Sequence, residues 1–275
     1  MPIKIILSLF LVLSFSNMSI QAQERNELVL GSVAMDIPAV MHARLRPLTT
    51  YLSKELGVAV NLKLSPNMGA AINEAANANV DLAYLTPVAY LKAHDKGNAK
   101  IIAKTVTNGK SSFQLMIVVK EDSPIKTIED LVGKSFAFGD PKALLQRAVV
   151  VNSGIELEQF KDYKFIGHYD NIARAVAIGD FDAGILKDTT AFKWQNKGLR
   201  ILYRSPDLPP YNIAVTSRVS DDMANKLKNA FLKLDGKTPE HLQVIKALDK
   251  KYDGFADTSD AEYDIVRKLI VPFNK

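Results

Sequence analysis

Between residues 27 and 106, four short apolar runs alternate with three stretches of helical character, and no other pattern restricts the fold of this chain as strongly. The runs are residues 27–33 (ELVLGSV), 58–64 (VAVNLKL), 80–85 (VDLAYL) and 100–106. The first intervening stretch, residues 41–56, places Met41, Leu45, Leu48, Leu52 and Leu56 at helical spacing and stops at Gly57. A small-residue helix (68–79) and a third helix (88–96) fill the other two gaps. Such alternation predicts a parallel sheet covered by helices, with ligand-contacting loops at the carboxyl ends of its strands. Those loops are residues 35–38, 65–69 and 85–87.

The alternation resumes further along. Strands are expected at 135–138, 163–166, 181–186 and 199–203, with helices at 141–152, 171–178 and 189–196. Two extended segments, 113–120 and 212–216, join the two units and read as partner strands, the second preceded by the proline-rich SPDLPPY at 205–211. Helices at 221–234, 239–250 and 259–269 follow, and they return to the first unit. The predicted fold class is α/β: two αβ lobes joined by two crossover strands, with a ligand cleft between them, the plan of a type II periplasmic binding protein. Lobe 1 comprises residues 23–112 and 214–275, and lobe 2 residues 113–213.

The opening residues, MPIKIILSLFLVLSFSNMSIQA, set Lys4 before an apolar core at 5–15 and end in small and polar residues. They read as a secretory signal peptide spanning 1–22, cleaved between Ala22 and Gln23, and the apolar core is short for a bilayer span. The mature chain is therefore expected to be soluble and exported. Losing Lys4 takes the formal charge from +5 to +4, with basic and acidic residues interspersed, so no nucleic-acid partner is expected. With no cysteine there is no disulfide, thiolate metal site or cysteine nucleophile. His42, His94, His168 and His241 show no paired metal-ligand spacing, and no catalytic serine or phosphate-loop motif is present. The chain reads as a binding protein and not an enzyme, with no cofactor and no metal.

The stretch 134–154, KSFAFGDPKALLQRAVVVNSG, carries the most pointed local signal. It predicts a buried strand, a tight turn at Gly139 and Asp140, and a helix with Asp140 as its cap and Pro141 at its first position. The unpaired N–H groups of that first turn, with Lys142 beside them, would form an anion site at a strand's carboxyl end. An ordinary αβ junction that holds nothing has the same sequence requirements.

Several motifs in order, SPNMGAAINEAANANVDLAYLTPVAYLKA, VVKEDSPIKTIEDLVGKSFAFGDP, GHYDNIARAVAIGDFDAG and SPDLPP, resemble the PhnD-like family, which binds phosphonate, phosphite or phosphate for ABC importers. The resemblance covers roughly residues 28–268. It implies a periplasmic, monomeric protein that captures a small anion and hands it to an ABC permease; a sensing subunit that docks on a membrane histidine kinase, with a non-phosphonate ligand, is the alternative. In the family a Ser-Thr-Ser run follows the turn and grips the phosphonyl oxygens. Here Ala143, Leu144 and Leu145 stand in its place.

The resemblance also marks His168 in its Gly-led loop, with Tyr169 next to it, Tyr84 and Thr86 around the first-lobe contact loop, and Asp188 after a strand end. Each has a plainer role open to it: Tyr84 as a core-facing strand residue, Thr86 as a helix cap, Asp188 as half of an exposed pair with Lys187. Asp36 either caps the following helix or faces the cleft, and Tyr211, beside Pro209 and Pro210, stands near the returning strand. With Asp140 and Lys142 these nine residues make up the expected ligand-binding set.

Overall fold

The computed structural model describes residues 26–32, 38–97, 99–195 and 197–273. The leader lies outside them, as does Asp36. In chain order the first unit is β1 (Glu27–Ser32), α1 (Pro38–Leu56), β2 (Ala59–Leu64), α2 (Met68–Ala76), β3 (Leu82–Leu85), α3 (Pro87–Gly97) and β4 (Lys100–Thr107). The second is β5 (Leu115–Lys120), β6 (Ser135–Phe138), α4 (Leu144–Asn152), β7 (Asp162–Phe165), α5 (Tyr169–Ala177), β8 (Ala183–Lys187), α6 (Asp188–Gln195) and β9 (Leu199–Arg204). The chain then adds β10 (Asn212–Val215), α7 (Asp221–Lys233), α8 (Pro239–Leu248), β11 (Tyr252–Ala256) and α9 (Asp264–Ile270).

Two α/β lobes result, each built on a mixed sheet with the same plan. The first sheet runs β2-β1-β3-β10-β4-β11 and the second β7-β6-β8-β5-β9. In each, one crossover strand is inserted antiparallel at the fourth position: β10 between β3 and β4, and β5 between β8 and β9. This corrects the expected pairing of 113–120 with 212–216. β5 is buried from Leu115 through Val119 and β10 along its whole length, so each needs neighbours on both edges and helices on both faces. Only the centre of a sheet supplies that. The two connections meet instead at a single bridge, Phe113 with Leu208. β11, absent from the sequence reading, pairs antiparallel with β4; Gly254 in the middle of YDGFA, at φ 150°, hides its strand character.

Local chemistry sets many of the ends. Asn67 caps α2 by accepting from Ala70 N at 2.9 Å, and Ser220 and Thr238 cap α7 and α8 in the same way. Gly57, at φ 69°, terminates α1. The last predicted helix divides into a 3₁₀ turn, Asp260–Tyr263, and α9.

The apolar core lies on both faces of each sheet. α1, α7 and α8 cover one face of the first sheet, where Leu30, Leu45, Leu48 and Leu52 are fully buried. α5 and α6 cover one face of the second. The remaining faces share one continuous cluster that joins the lobes, running from Ile72 and Tyr90 through Tyr263 and Leu269 to Val149 and Phe136. α9 lies in that junction and packs against both α3 and α4.

Candidate functional site

A cavity of about 270 Å³ opens where the two lobes face each other. The first lobe contributes Met68 from the start of α2 and Thr86, Pro87 and Val88 from the start of α3, and the returning connection contributes Tyr211 just before β10. The crossing segment adds Phe113 and Leu115. The second lobe supplies Asp140, Lys142, Ala143, Leu144, Leu145 and Gln146 around the start of α4, with Tyr169 at the start of α5. Helix starts from both lobes therefore border one space, as expected where strands end at a sheet's carboxyl edge.

The loop into α4 departs from the sequence reading. Asp140 does not cap the helix, because α4 begins only at Leu144 and Ala143 occupies its cap position without a side-chain acceptor. Asp140 closes a tighter turn, its Oδ1 accepting from Lys142 N at 2.8 Å. The Asp140 carbonyl accepts from Ala143 N, the Lys142 carbonyl from Leu144 N, and the Ala143 carbonyl from Gln146 N, at 2.9 to 3.1 Å. Four N–H groups that could have met an anion are thus turned into the loop itself. A Pro-Lys-Ala-Leu-Leu sequence has no hydroxyl to hold the loop open, so backbone and the Asp140 carboxylate satisfy it from within.

Gln146 fixes this loop against its neighbours. It is 5% exposed; its Oε1 accepts from Gly139 N at 2.8 Å and its Nε2 donates to the Tyr169 hydroxyl at 3.2 Å. Gly139 must be glycine for reasons of space: a Cβ there would lie 2.9 Å from both Gln146 Nε2 and the Gly167 carbonyl oxygen. Gln146 was not among the expected site residues. Its amide, with Arg147 and Asn152 one of three polar side chains in an otherwise apolar helix, was the signal that could have found it.

Across the cavity Thr86 accepts from Ala89 N at 3.1 Å and so caps α3 while lining the space. Tyr211 stacks on Tyr84, with ring centroids 5.4 Å apart. Burial pushes the phenols of Tyr169 and Tyr211 above the ordinary tyrosine range, so both remain neutral hydrogen-bonding groups at any physiological pH.

Of the nine expected residues, the structure brings Thr86, Asp140, Lys142, Tyr169 and Tyr211 to this cavity. Tyr84 lies behind it, 4% exposed, its hydroxyl 2.7 Å from that of Tyr252 in the core. His168 is exposed at the cap position of α5, outside the cavity lining. Asp188 borders a second hollow, of about 260 Å³, on the far side of Phe113. Its carboxylate accepts from Gln114 N and Thr189 N, which fastens β8 and α6 to the crossing segment. Lys187, beside it, sits 5.0 Å from the centre of the Phe113 ring, and burial lowers the pKa of its ammonium. A larger groove, about 380 Å³, lies between α1 and α8 and is spanned by the Lys54–Glu240 pair at 2.8 Å. It is formed by one lobe only, so no movement of one lobe on the other could enclose a ligand there. Among the described residues no group of three or more histidines and carboxylates is placed to hold a metal, and no helix is long and apolar enough to cross a membrane.

Comparison with known proteins agrees with this architecture. A family model described as "ABC transporter, phosphonate, periplasmic substrate-binding protein" matches residues 30–263. The chain is 27% identical to the phosphonates-binding periplasmic protein of Escherichia coli, covering 98% of this chain and 85% of the relative. It is 25% identical to the phosphate-import protein PhnD of Mycolicibacterium smegmatis, over 88% and 84%. Among solved structures it resembles PhnD1 from Prochlorococcus marinus in complex with methylphosphonate, with a TM-score of 0.70 and 22% identity, covering 91% of this chain and 99% of that one.

Proposed function

The chain belongs to the phosphonate family of ABC-transporter periplasmic substrate-binding proteins, and from that premise we propose that it captures a small anionic ligand in the cleft between its lobes and delivers it to an ABC permease. The observation that carries this reading is the meeting of α3 and α4 starts from opposite lobes at one cavity, with Lys142 as the cation on its wall. A ligand touching both walls would bind more tightly when the lobes close on it, and the closed form is what a permease could distinguish.

The residues proposed to contact the ligand are Thr86, Lys142, Tyr169 and Tyr211, with Asp140 shaping the loop that presents Lys142. Asp36 stays in the proposed set from its place after β1. Tyr84, His168 and Asp188 are proposed to act at one remove or after lobe movement: Tyr84 by supporting Tyr211, Asp188 by fixing the crossing segment, His168 from the start of α5. The proposed lobes are 23–112 with 214–275, and 113–213. The mature protein, from Gln23, is proposed to be an exported monomer that binds without chemical turnover.

Thermal unfolding of residues 23–275 tests the reading against phosphate, phosphite, alkyl- and arylphosphonates and sulfonates. A compound at about 100 times its dissociation constant stabilises the folded state by about 2.7 kcal/mol, and Lys142→Gln should weaken that effect. If no anion in the set raises the unfolding temperature, the reading fails.

A further inference from the structure

The walls of the cleft are unlike those a bare oxyanion requires, and they define a narrower ligand class. This step rests on the cleft being the ligand site, as proposed above. A phosphonyl head presents three acceptor oxygens, and its burial is favourable only when many donors meet it. On the α4 side, the positions after the turn hold Ala143, Leu144 and Leu145, and all three line the cavity. Four backbone donors of the same loop, the amides of Lys142, Ala143, Leu144 and Gln146, are engaged within it. Lys142 is the one lysine or arginine among the described lining residues, and it lies exposed at the rim together with Asp140, whose carboxylate already accepts the Lys142 amide. The lining is mainly apolar, with Met68, Val88, Phe113, Leu144 and Leu145 from the two sides, and its neutral polar groups are those of Thr86, Gln146, Tyr169 and Tyr211.

Size points the same way. At roughly 30 Å³ per water, about 270 Å³ is room for about nine waters. A methylphosphonate would leave most of that space as water against leucine, methionine and phenylalanine. An arylphosphonate, with about twice as many non-hydrogen atoms, would displace it.

We infer that the ligand is an amphipathic organic anion: a phosphonate-type head held at the rim by Lys142, and an apolar body of about the size of a phenyl ring packed against Leu144, Leu145, Met68 and Phe113. The leucines that remove the oxyanion grip thereby become the specificity element. Removing ring-sized apolar area from water is worth more than a methyl group can return, so affinity should climb with the substituent until the cavity is full.

Calorimetric titration of the mature protein with phenylphosphonate, methylphosphonate, inorganic phosphate and benzyl alcohol tests this. Phenylphosphonate should bind at least tenfold more tightly than methylphosphonate, with inorganic phosphate weaker still and neutral benzyl alcohol weakest. The Leu144→Ser, Leu145→Thr double variant should narrow or reverse the phenyl-over-methyl preference, while circular dichroism and the unfolding temperature report whether it folds. Lys142→Gln should weaken phenylphosphonate without altering benzyl alcohol. Equal or tighter binding of methylphosphonate or phosphate would overturn the inference and leave the anion-capture reading standing. Benzyl alcohol binding as well as phenylphosphonate would also overturn it, by removing the need for the head. Failure of every phosphonate and phosphate to bind would remove both.

Discussion

Substituting Gly139 by alanine tests the tightest point in the cleft wall. The new Cβ would stand 2.9 Å from the Gly167 carbonyl oxygen, and that backbone cannot retreat freely because Gly167 N donates to the Gly139 carbonyl at 3.1 Å. It would also stand 2.9 Å from Gln146 Nε2, which can move, but only by abandoning its bonds to Gly139 N and the Tyr169 hydroxyl. Overpacking a closed site costs about 1 to 3 kcal/mol, and a buried donor left without an acceptor costs about the same again. The expected destabilisation of Gly139→Ala is therefore about 2 to 6 kcal/mol, read from urea unfolding followed by tryptophan fluorescence and circular dichroism. Truncating Gln146 to alanine removes one of the two clashes in advance. The double variant should then be less destabilised than the sum of the singles, by about 1 kcal/mol or more. A Gly139→Ala protein within about 0.5 kcal/mol of the parent, or strict additivity with Gln146→Ala, would refute the close-packing argument for this turn.

Other perturbations follow from single contacts. Asp81 is 1% exposed, accepts from Val29 N at 2.8 Å and lies 3.2 Å from Nε of the partly exposed Arg218, so Asp81→Ala should cost about 1 to 3 kcal/mol in denaturant unfolding, chiefly by leaving the Val29 amide without its acceptor. Tyr252→Phe deletes the hydroxyl that meets Tyr84 in the core and should cost about 1 to 2 kcal/mol by the same measurement. Burial pushes Tyr252 up to about 12 and raises Tyr84 and Tyr211 as well. A raised phenol pKa means that the folded state holds its proton more tightly than the unfolded chain does. The stability this gives is complete below about pH 10 and lost as pH rises towards 12, so alkaline unfolding should steepen in that window, with tyrosinate absorbance appearing together with the loss of ellipticity.

Much of this arrangement is legible in the sequence because local periodicity carries it. The strand Ser135–Phe138 falls where the apolar run places it, α3 begins next to the Thr86-Pro87 signal, and α6 begins at Asp188, one residue before the expected helix at 189. What the sequence hides is long-range. Phe113 to Lys120 and Asn212 to Thr216 both read as buried strands, but periodicity cannot say which neighbours a buried strand takes, and each chose the opposite sheet's centre. The α4 loop hides for a different reason. Asp-Pro is an equally good start for a helix and for a turn, and the choice fell to the turn because Asp140 could bond the Lys142 amide two residues on. Tyr84 entered the expected site through the resemblance, which sets it beside the first-lobe contact loop, but it lies within β3 and its hydroxyl meets Tyr252 in the core. Thr86 stands past the strand's end, opens the next helix and reaches the cavity.

The same geometry separates the residues that line the cavity from the contacts that join the two lobes. The helices that present Thr86 and Leu144 to the cavity are anchored by their other surfaces to one element. α9 packs against both, with Asn152 Nδ2 donating to the Leu269 carbonyl at 3.0 Å on the α4 side. On the α3 side the Tyr90 hydroxyl donates to Asp260 Oδ1 at 2.6 Å, and Arg267 binds that same oxygen at 2.7 Å. The opposed walls of the cleft are thus held through a shared support, and the three cavity-lining residues from Ala143 to Leu145 lie at the end of α4 away from it. Side chains there can exchange hydroxyls for leucines at little cost to the tie between the lobes, because none of the bonds that make the tie passes through them. Under the proposed reading, the residues that would set specificity are separated within a single helix from the contacts that tie the lobes, its first turn lining the cavity and its last turn held to α9.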